Sequence, residues 1–130
     1  MPALATNQFT TGKFTAPAPE EFTQISRLQD VIGTFRALDG AFPASYMVCL
    51  LAVAKEPGFG VTHYSTKLGM LQAVVSRILL ELGNRTRKGG DGMGLVDSVR
   101  DPNDYRVYRY YLTPKGRAFV NSVLKLNKPR

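Results

Sequence analysis

Cys49 and His63 are the only residues of their types in these 130 positions, which leaves little material for covalent or metal chemistry. A tetrahedral metal site draws on three or four clustered Cys, His or carboxylate ligands, and His63 has no such company. Cys49 sits among Met47, Leu50 and Leu51, an apolar setting that predicts a buried and unreactive thiol. No phosphate-binding glycine loop, nucleophile elbow or H-E-x-x-H segment is present, so neither an enzyme nor a cofactor or metal is expected. What the chain offers instead is hydrogen bonding and charge. Gln72, Ala73, Val74, Ser76 and Arg77 fall within six consecutive positions. Glutamine can pair with adenine and arginine with guanine on the edges of base pairs, while Ala73 and Val74 suit thymine methyl groups. A second set, Arg100, Asn103, Tyr105 and Arg106, surrounds the turn composition Asp101-Pro102-Asn103-Asp104. Arginine suits a narrow minor groove through its charge and planar shape. Arg85, Arg87 and Lys88 lie in a Gly-rich basic stretch and are candidate phosphate contacts. Asp104 cannot favour a phosphate. It is expected to orient Arg106 or Arg77 through a carboxylate pair, or, like Asp101, simply to form the turn.

The charge of the chain agrees with a polyanionic partner. Residues 1–70 carry five basic and five acidic side chains, whereas residues 71–130 carry twelve and five, so the whole net charge of +7 lies in the second half. The length suits one compact unit, and 44% hydrophobic residues suffice for a core. No apolar run is long enough for a membrane span, and the first twenty residues lack the basic start and apolar centre of a signal peptide. With one cysteine, a cytoplasmic location is the expectation.

Those side chains need elements to hold them. Residues 1–19 show no usable period and are expected to form a flexible N-terminal arm, with a single domain over 20–130. From Pro19, apolar residues Phe22, Ile25, Leu28, Ile32, Phe35 and Leu38 recur at intervals of three and four, predicting a helix ended by Asp39-Gly40, with Gly40 left-handed. A second helix follows Pro43, capped by Ser45 and facing inward with Met47, Leu50, Leu51 and Ala54, until Glu56-Pro57-Gly58 stops it. Thr62 is expected to cap a short third helix that Gly69 closes. A fourth helix, from about Leu71 to Leu82, would bury Val75, Ile78, Leu79 and Leu82 and turn Ala73, Ser76 and Arg77 outward, with Gln72 at the border. Two β-prone runs, 95–100 and 107–112, flank the turn. Thr113-Pro114 then opens a last helix presenting Phe119, Val123 and Leu126.

Within this order, the stretch from Val61 to Ile78 has the spacing of a helix-turn-helix. Ser65 is small where two helices would cross, Gly69 tolerates the positive φ of a tight turn, and Val75 is a branched anchor for the second helix. The chain resembles the MarR family of bacterial regulators from about Phe22 to Leu126. The likeness is carried by Ser76-Arg77 after the glycine-bounded motif and by Gly94-Leu95-Val96 opening the first strand. Asp104-Tyr105-Arg106 in the wing and Leu112-Thr113-Pro114-Lys115-Gly116 at the last helix complete it. It departs from that family at Leu71, where a serine cap is usual, at Tyr105, where arginine is usual, and in its longer loop before the wing. The resemblance implies a mainly α winged helix-turn-helix with a small antiparallel β-hairpin. It also implies a recognition helix in the major groove, a basic wing beside it, and transcriptional regulation, with repression by promoter occlusion. Expected partners are double-stranded DNA, a second copy of the chain meeting it through the first and last helices, and, as one option, a small-molecule effector; a membrane is not among them. Two other readings are a phage- or plasmid-type accessory DNA-binding protein for replication or partition, and a winged helix used to bind another protein.

Overall fold

A computed structural model describes residues 15–40, 42–84 and 90–127. Five helices and one hairpin follow in order: α1 (Pro19–Leu38), α2 (Ala44–Lys55), α3 (Val61–Leu68), α4 (Gln72–Leu82), β1 (Val96–Asp101), β2 (Asp104–Leu112) and α5 (Pro114–Asn127). Of the arm assigned to residues 1–19, positions 1–14 lie outside the described residues, and α1 begins at Pro19.

The core gathers one stripe from each element. Phe35 of α1, Cys49, Leu50 and Val53 of α2, Tyr64 of α3 and Val120 and Val123 of α5 close around α4. Helix α4 contributes Val75, Ile78, Leu79 and Leu82, the four positions its periodicity assigns inward. Edge-to-face rings at 5.1 Å and 5.3 Å pack Phe35 against Phe119 and Phe42, a geometry that adds to simple burial. In α2 the inward set is Cys49, Leu50 and Val53 rather than one that includes Leu51, which is exposed. Burial alone pushes the Cys49 thiol up to about 11, so at neutral pH it is a protonated apolar filler. Native protein at pH 8 should therefore resist alkylation at Cys49, and unfolding in denaturant should restore labelling; rapid labelling of the folded chain would contradict this placement.

Several local expectations are corrected. Helix α1 ends with Asp39 in extended backbone, and Gly40 is not left-handed, because the chain must exit straight enough to insert Phe42 into the core. Ser45 and Thr62 cap nothing. The helices start earlier, from Pro43 and Gly60, whose extended backbones already present the first carbonyl. Gly60 is wanted there for space, since a Cβ would sit 3.2 Å from the Tyr108 carbonyl. The larger surprise is α1 itself. Only Phe35 of its stripe is buried, while Phe22, Ile25, Leu28 and Ile32 are each more than half exposed.

The hairpin pairs antiparallel from Val96↔Leu112 to Arg100↔Tyr108, then slips so that Asp101 faces Asp104. This leaves a two-residue turn, Pro102-Asn103, so Tyr105 and Arg106 belong to strand β2 rather than to a loop. A bridge between Phe59 and Tyr110 attaches the hairpin to the segment entering α3. Thr113 caps α5 as expected, its Oγ1 accepting from Gly116 N–H at 3.0 Å and donating to the Gly94 carbonyl.

Candidate nucleic-acid interface

Gly69 adopts φ +65°, ψ +33°, and with it the chain reverses between α3 and α4. A side chain at that φ would be strained, which is why the tight turn needs glycine. Ser65 does more than stay small: it is buried, and its Oγ donates to the Met70 carbonyl at 2.6 Å, tying α3 to the turn. The start of α4 is formed by Leu71, which lacks a side-chain cap and is 75% exposed, so it anchors α4 to nothing among the described residues.

With α4's aliphatic side against the core, its other side is open. Gln72, Ala73 and Ser76 are exposed, Arg77 is half-exposed, and Val74 is half-buried against the core. Gln72, Ala73 and Ser76 line one side of a groove of about 590 Å³, and Arg106, Val107 and Tyr108 of β2 line the other. His63 of α3 completes the floor, stacked on Phe59 at 3.8 Å. Its Nε2 lies 3.4 Å from a Glu56 carboxylate oxygen but off the line of a hydrogen bond, and it has no other partner among the described residues. The structure thus brings Gln72, Ala73 and Ser76 together with Arg106, while Asn103 and Tyr105 stand nearer the tip of the wing and Arg100, level with Tyr108 on the neighbouring strand, does not line the groove.

The wing's charges are arranged by short-range pairs. Asp104 accepts from Arg106 Nε at 3.2 Å and from its backbone N–H at 3.1 Å, which realises one of the two pairings expected of it. The other does not form: Arg77 Nε lies 3.7 Å from Glu81, one turn along α4. Glu81 is in turn held by Tyr46 of α2, whose hydroxyl donates to it at 2.7 Å. Arg100 donates to the Tyr108 hydroxyl and lies over that ring. Asp101 is more than a turn former. It is buried and binds Arg109, a residue the sequence reading did not single out. Arg85, Arg87 and Lys88 lie outside the described residues.

Comparison with solved structures gives the arrangement its context. A transcriptional repressor, CouR, bound to a 23-mer DNA duplex is 29% identical, with a TM-score of 0.58 over 82% of this chain and 68% of that one. MarR itself is 21% identical, with a TM-score of 0.56 over 84% and 75%. FabT of Streptococcus pneumoniae in complex with DNA is 23% identical, with a TM-score of 0.55 over 82% and 71%. The chain has the winged-helix fold of MarR. No family model and no curated protein matches it. In this MarR-like chain the four helices before the wing and the one after it occur in the order expected from the sequence. The missing serine cap at Leu71 has not displaced α4, because the Leu71 carbonyl still accepts from the Val74 and Val75 N–H groups. Among the described residues, no helix is long and apolar enough to cross a membrane.

Proposed function

We propose that this MarR-like chain is a sequence-specific double-stranded DNA-binding transcriptional regulator that acts as a repressor by covering its promoter site. The single observation that carries this reading is the groove between α4 and β2. There the exposed Gln72, Ala73 and Ser76 face Arg106, on the half of the chain that holds all the excess positive charge. An α-helix fits the major groove, and a helix that offers Gln and Arg beside small residues can read base edges there. Arg100, Asn103, Tyr105 and Arg106 of the wing contact the adjacent minor groove and phosphates in this reading, and Asp104 holds Arg106 for them. CouR, whose structure contains a DNA duplex, supports the reading by its likeness. The regulator works in the cytoplasm, where its DNA is. Selection of bound fragments from random duplexes should return a defined sequence. Affinity for that duplex should fall linearly with salt on logarithmic axes, by a slope of about −0.9 per phosphate contacted. Salt-insensitive binding, or none, would favour a protein-binding winged helix instead.

The working unit in this reading is a homodimer. Phe22, Ile25, Leu28 and Ile32 form an exposed apolar stripe along α1, and Leu124 and Leu126 are exposed on α5, which packs against α1. A contiguous apolar face of this kind marks an association surface. A two-fold dimer then binds a pseudo-palindrome with half-sites about one helical turn apart. Light scattering at micromolar concentration should give twice the chain mass of 14.3 kDa; Ile25→Asp with Leu28→Asp should give the monomer mass.

A further inference from the structure

We infer that Arg109 is a positioning residue that fixes the angle of the wing against the helix-turn-helix, an inference that rests on the DNA-binding reading above. Arg109 lies on β2 opposite Val99, and its guanidinium bridges two segments that are far apart in the chain. Its Nε and Nη2 donate to Asp101 Oδ2 at 2.9 and 2.7 Å, and its Nη1 donates to the Gly58 carbonyl at 2.9 Å, across 51 positions. Asp101 stands where the hairpin register slips, and its other oxygen accepts from the Asn103 N–H at 2.7 Å. Gly58 leads through the Phe59–Tyr110 bridge to Gly60, the residue from which α3 starts. One planar group therefore joins the wing's turn to the entrance of the helix-turn-helix.

The join matters because an isolated two-stranded hairpin is marginal in water. Between Val99 and the Pro102-Asn103 turn lies roughly 10 Å of strand, so a tilt of about ten degrees there moves the tip by about 2 Å. Asn103, Tyr105 and Arg106 at that end are exposed, and the backbone bonds of the Phe59–Tyr110 bridge hold the hairpin four or more residues away from them along β2. The geometry requires arginine: a fork of coplanar donors serves two acceptors at once, whereas an ammonium is a point charge on a flexible stem. All three guanidinium nitrogens donate inward to protein, so Arg109 works through the wing rather than by gripping a phosphate itself. The Asn103 N–H, followed by the Arg109 guanidinium, holds the Asp101 carboxyl below the usual carboxylate range. The clamp is thus fully charged at neutral pH. Its stabilising effect is present above the ordinary carboxylate pKa and fades only as pH falls through the depressed native value.

The test uses the full chain and one duplex recovered by selection from random DNA, in a long form and in a form trimmed beneath the wing. Arg109→Leu should lose roughly tenfold or more in affinity for the long duplex and bind the trimmed duplex like the unaltered protein. Arg109→Lys should recover part of the loss. Asp101→Asn should repeat the pattern of Arg109→Leu, and with Arg109→Lys it decides the question if Arg109→Leu does not fold. An equal loss on both duplexes would reveal general destabilisation and overturn the inference, as would no loss on either. Failure of the unaltered protein to bind any selected duplex is a different result, and it would overturn the DNA-binding reading itself.

Discussion

Replacing Arg77 by alanine should erase most of the preference for the selected duplex over random DNA while leaving the fold standing. The side chain is about 41% exposed, and among the described residues its only ion pair is with Glu81 at 3.7 Å. An exposed i,i+4 pair contributes about 0–1 kcal/mol, so unfolding free energy should change little. A bidentate arginine–guanine contact discriminates against the wrong base by about 1–3 kcal/mol, which is roughly five- to 150-fold in relative affinity. The two effects are measured separately: anisotropy titrations with specific and scrambled duplexes for one, and urea unfolding for the other. Unchanged specificity would remove Arg77 from the reading set. Because Glu81 is held from the other side by Tyr46, Arg77 leaves α4 from a supported position. Tyr46 thus links α2 to Glu81 and Arg77 on α4.

Gly116→Ala should be the most damaging small substitution in the chain. A Cβ at that position would collide with the main chain of Leu95, at its carbonyl oxygen and carbon. Leu95 cannot step aside cheaply. It is fully buried, its N–H donates to the Leu82 carbonyl at 2.8 Å, and its carbonyl accepts from the Thr113 N–H at 3.0 Å. Those bonds fasten the end of α4 and the start of α5 to the first wing strand. Alanine brings a helix-propensity gain of about 1 kcal/mol. Overpacking in a tight interior costs about 1–3 kcal/mol when side chains can yield, and here the obstacle is backbone. The collision should win, with a net loss of about 2 kcal/mol or more, read as a lowered urea midpoint at unchanged slope. An alanine variant as stable as the parent would show that this helix–strand approach is looser than described.

These two positions also mark where the fold was legible. Gly116 entered only through the family resemblance, whereas Thr113-Pro114 stands out in the sequence because a helix start next to a strand imposes local demands that few residues meet. The same holds for Gly69, whose left-handed turn is visible as a single glycine between two periodic stretches. Helix α4 was readable in full, since Val75, Ile78, Leu79 and Leu82 answer one neighbouring core. Helix α1 has an equally clear period, yet among the described residues most of its stripe is exposed. Periodicity reports that a face wants covering, and says nothing of what covers it. The cap assignments at Ser45 and Thr62 failed for a different reason: an extended backbone at Pro43 or Gly60 starts a helix without any side-chain oxygen.

The site divides along the same line. Ala73, Ser76 and Arg77 were placed outward by arithmetic on one helix, with Gln72 at its border, and Arg106 with Asp104 by two-residue proximity in a turn. Arg109–Gly58 spans 51 positions and Tyr46–Glu81 spans 35, and no local pattern announces either. A hint for Arg109 did exist. It is an arginine on a strand facing Val99, beside a buried aspartate, and a half-buried arginine in a small hairpin needs a partner.

The central claim is that the open side of α4 enters the major groove while the wing straddles its neighbour. Guanine N7 lies in the major groove, so methylation of N7 in the selected duplex, with and without bound protein, tests it most directly. The account predicts N7 protection in two patches about one helical turn apart, and loss of protection at one guanine per patch with Arg77→Ala. Binding that leaves every N7 as reactive as in free DNA would place α4 outside the groove and contradict the account.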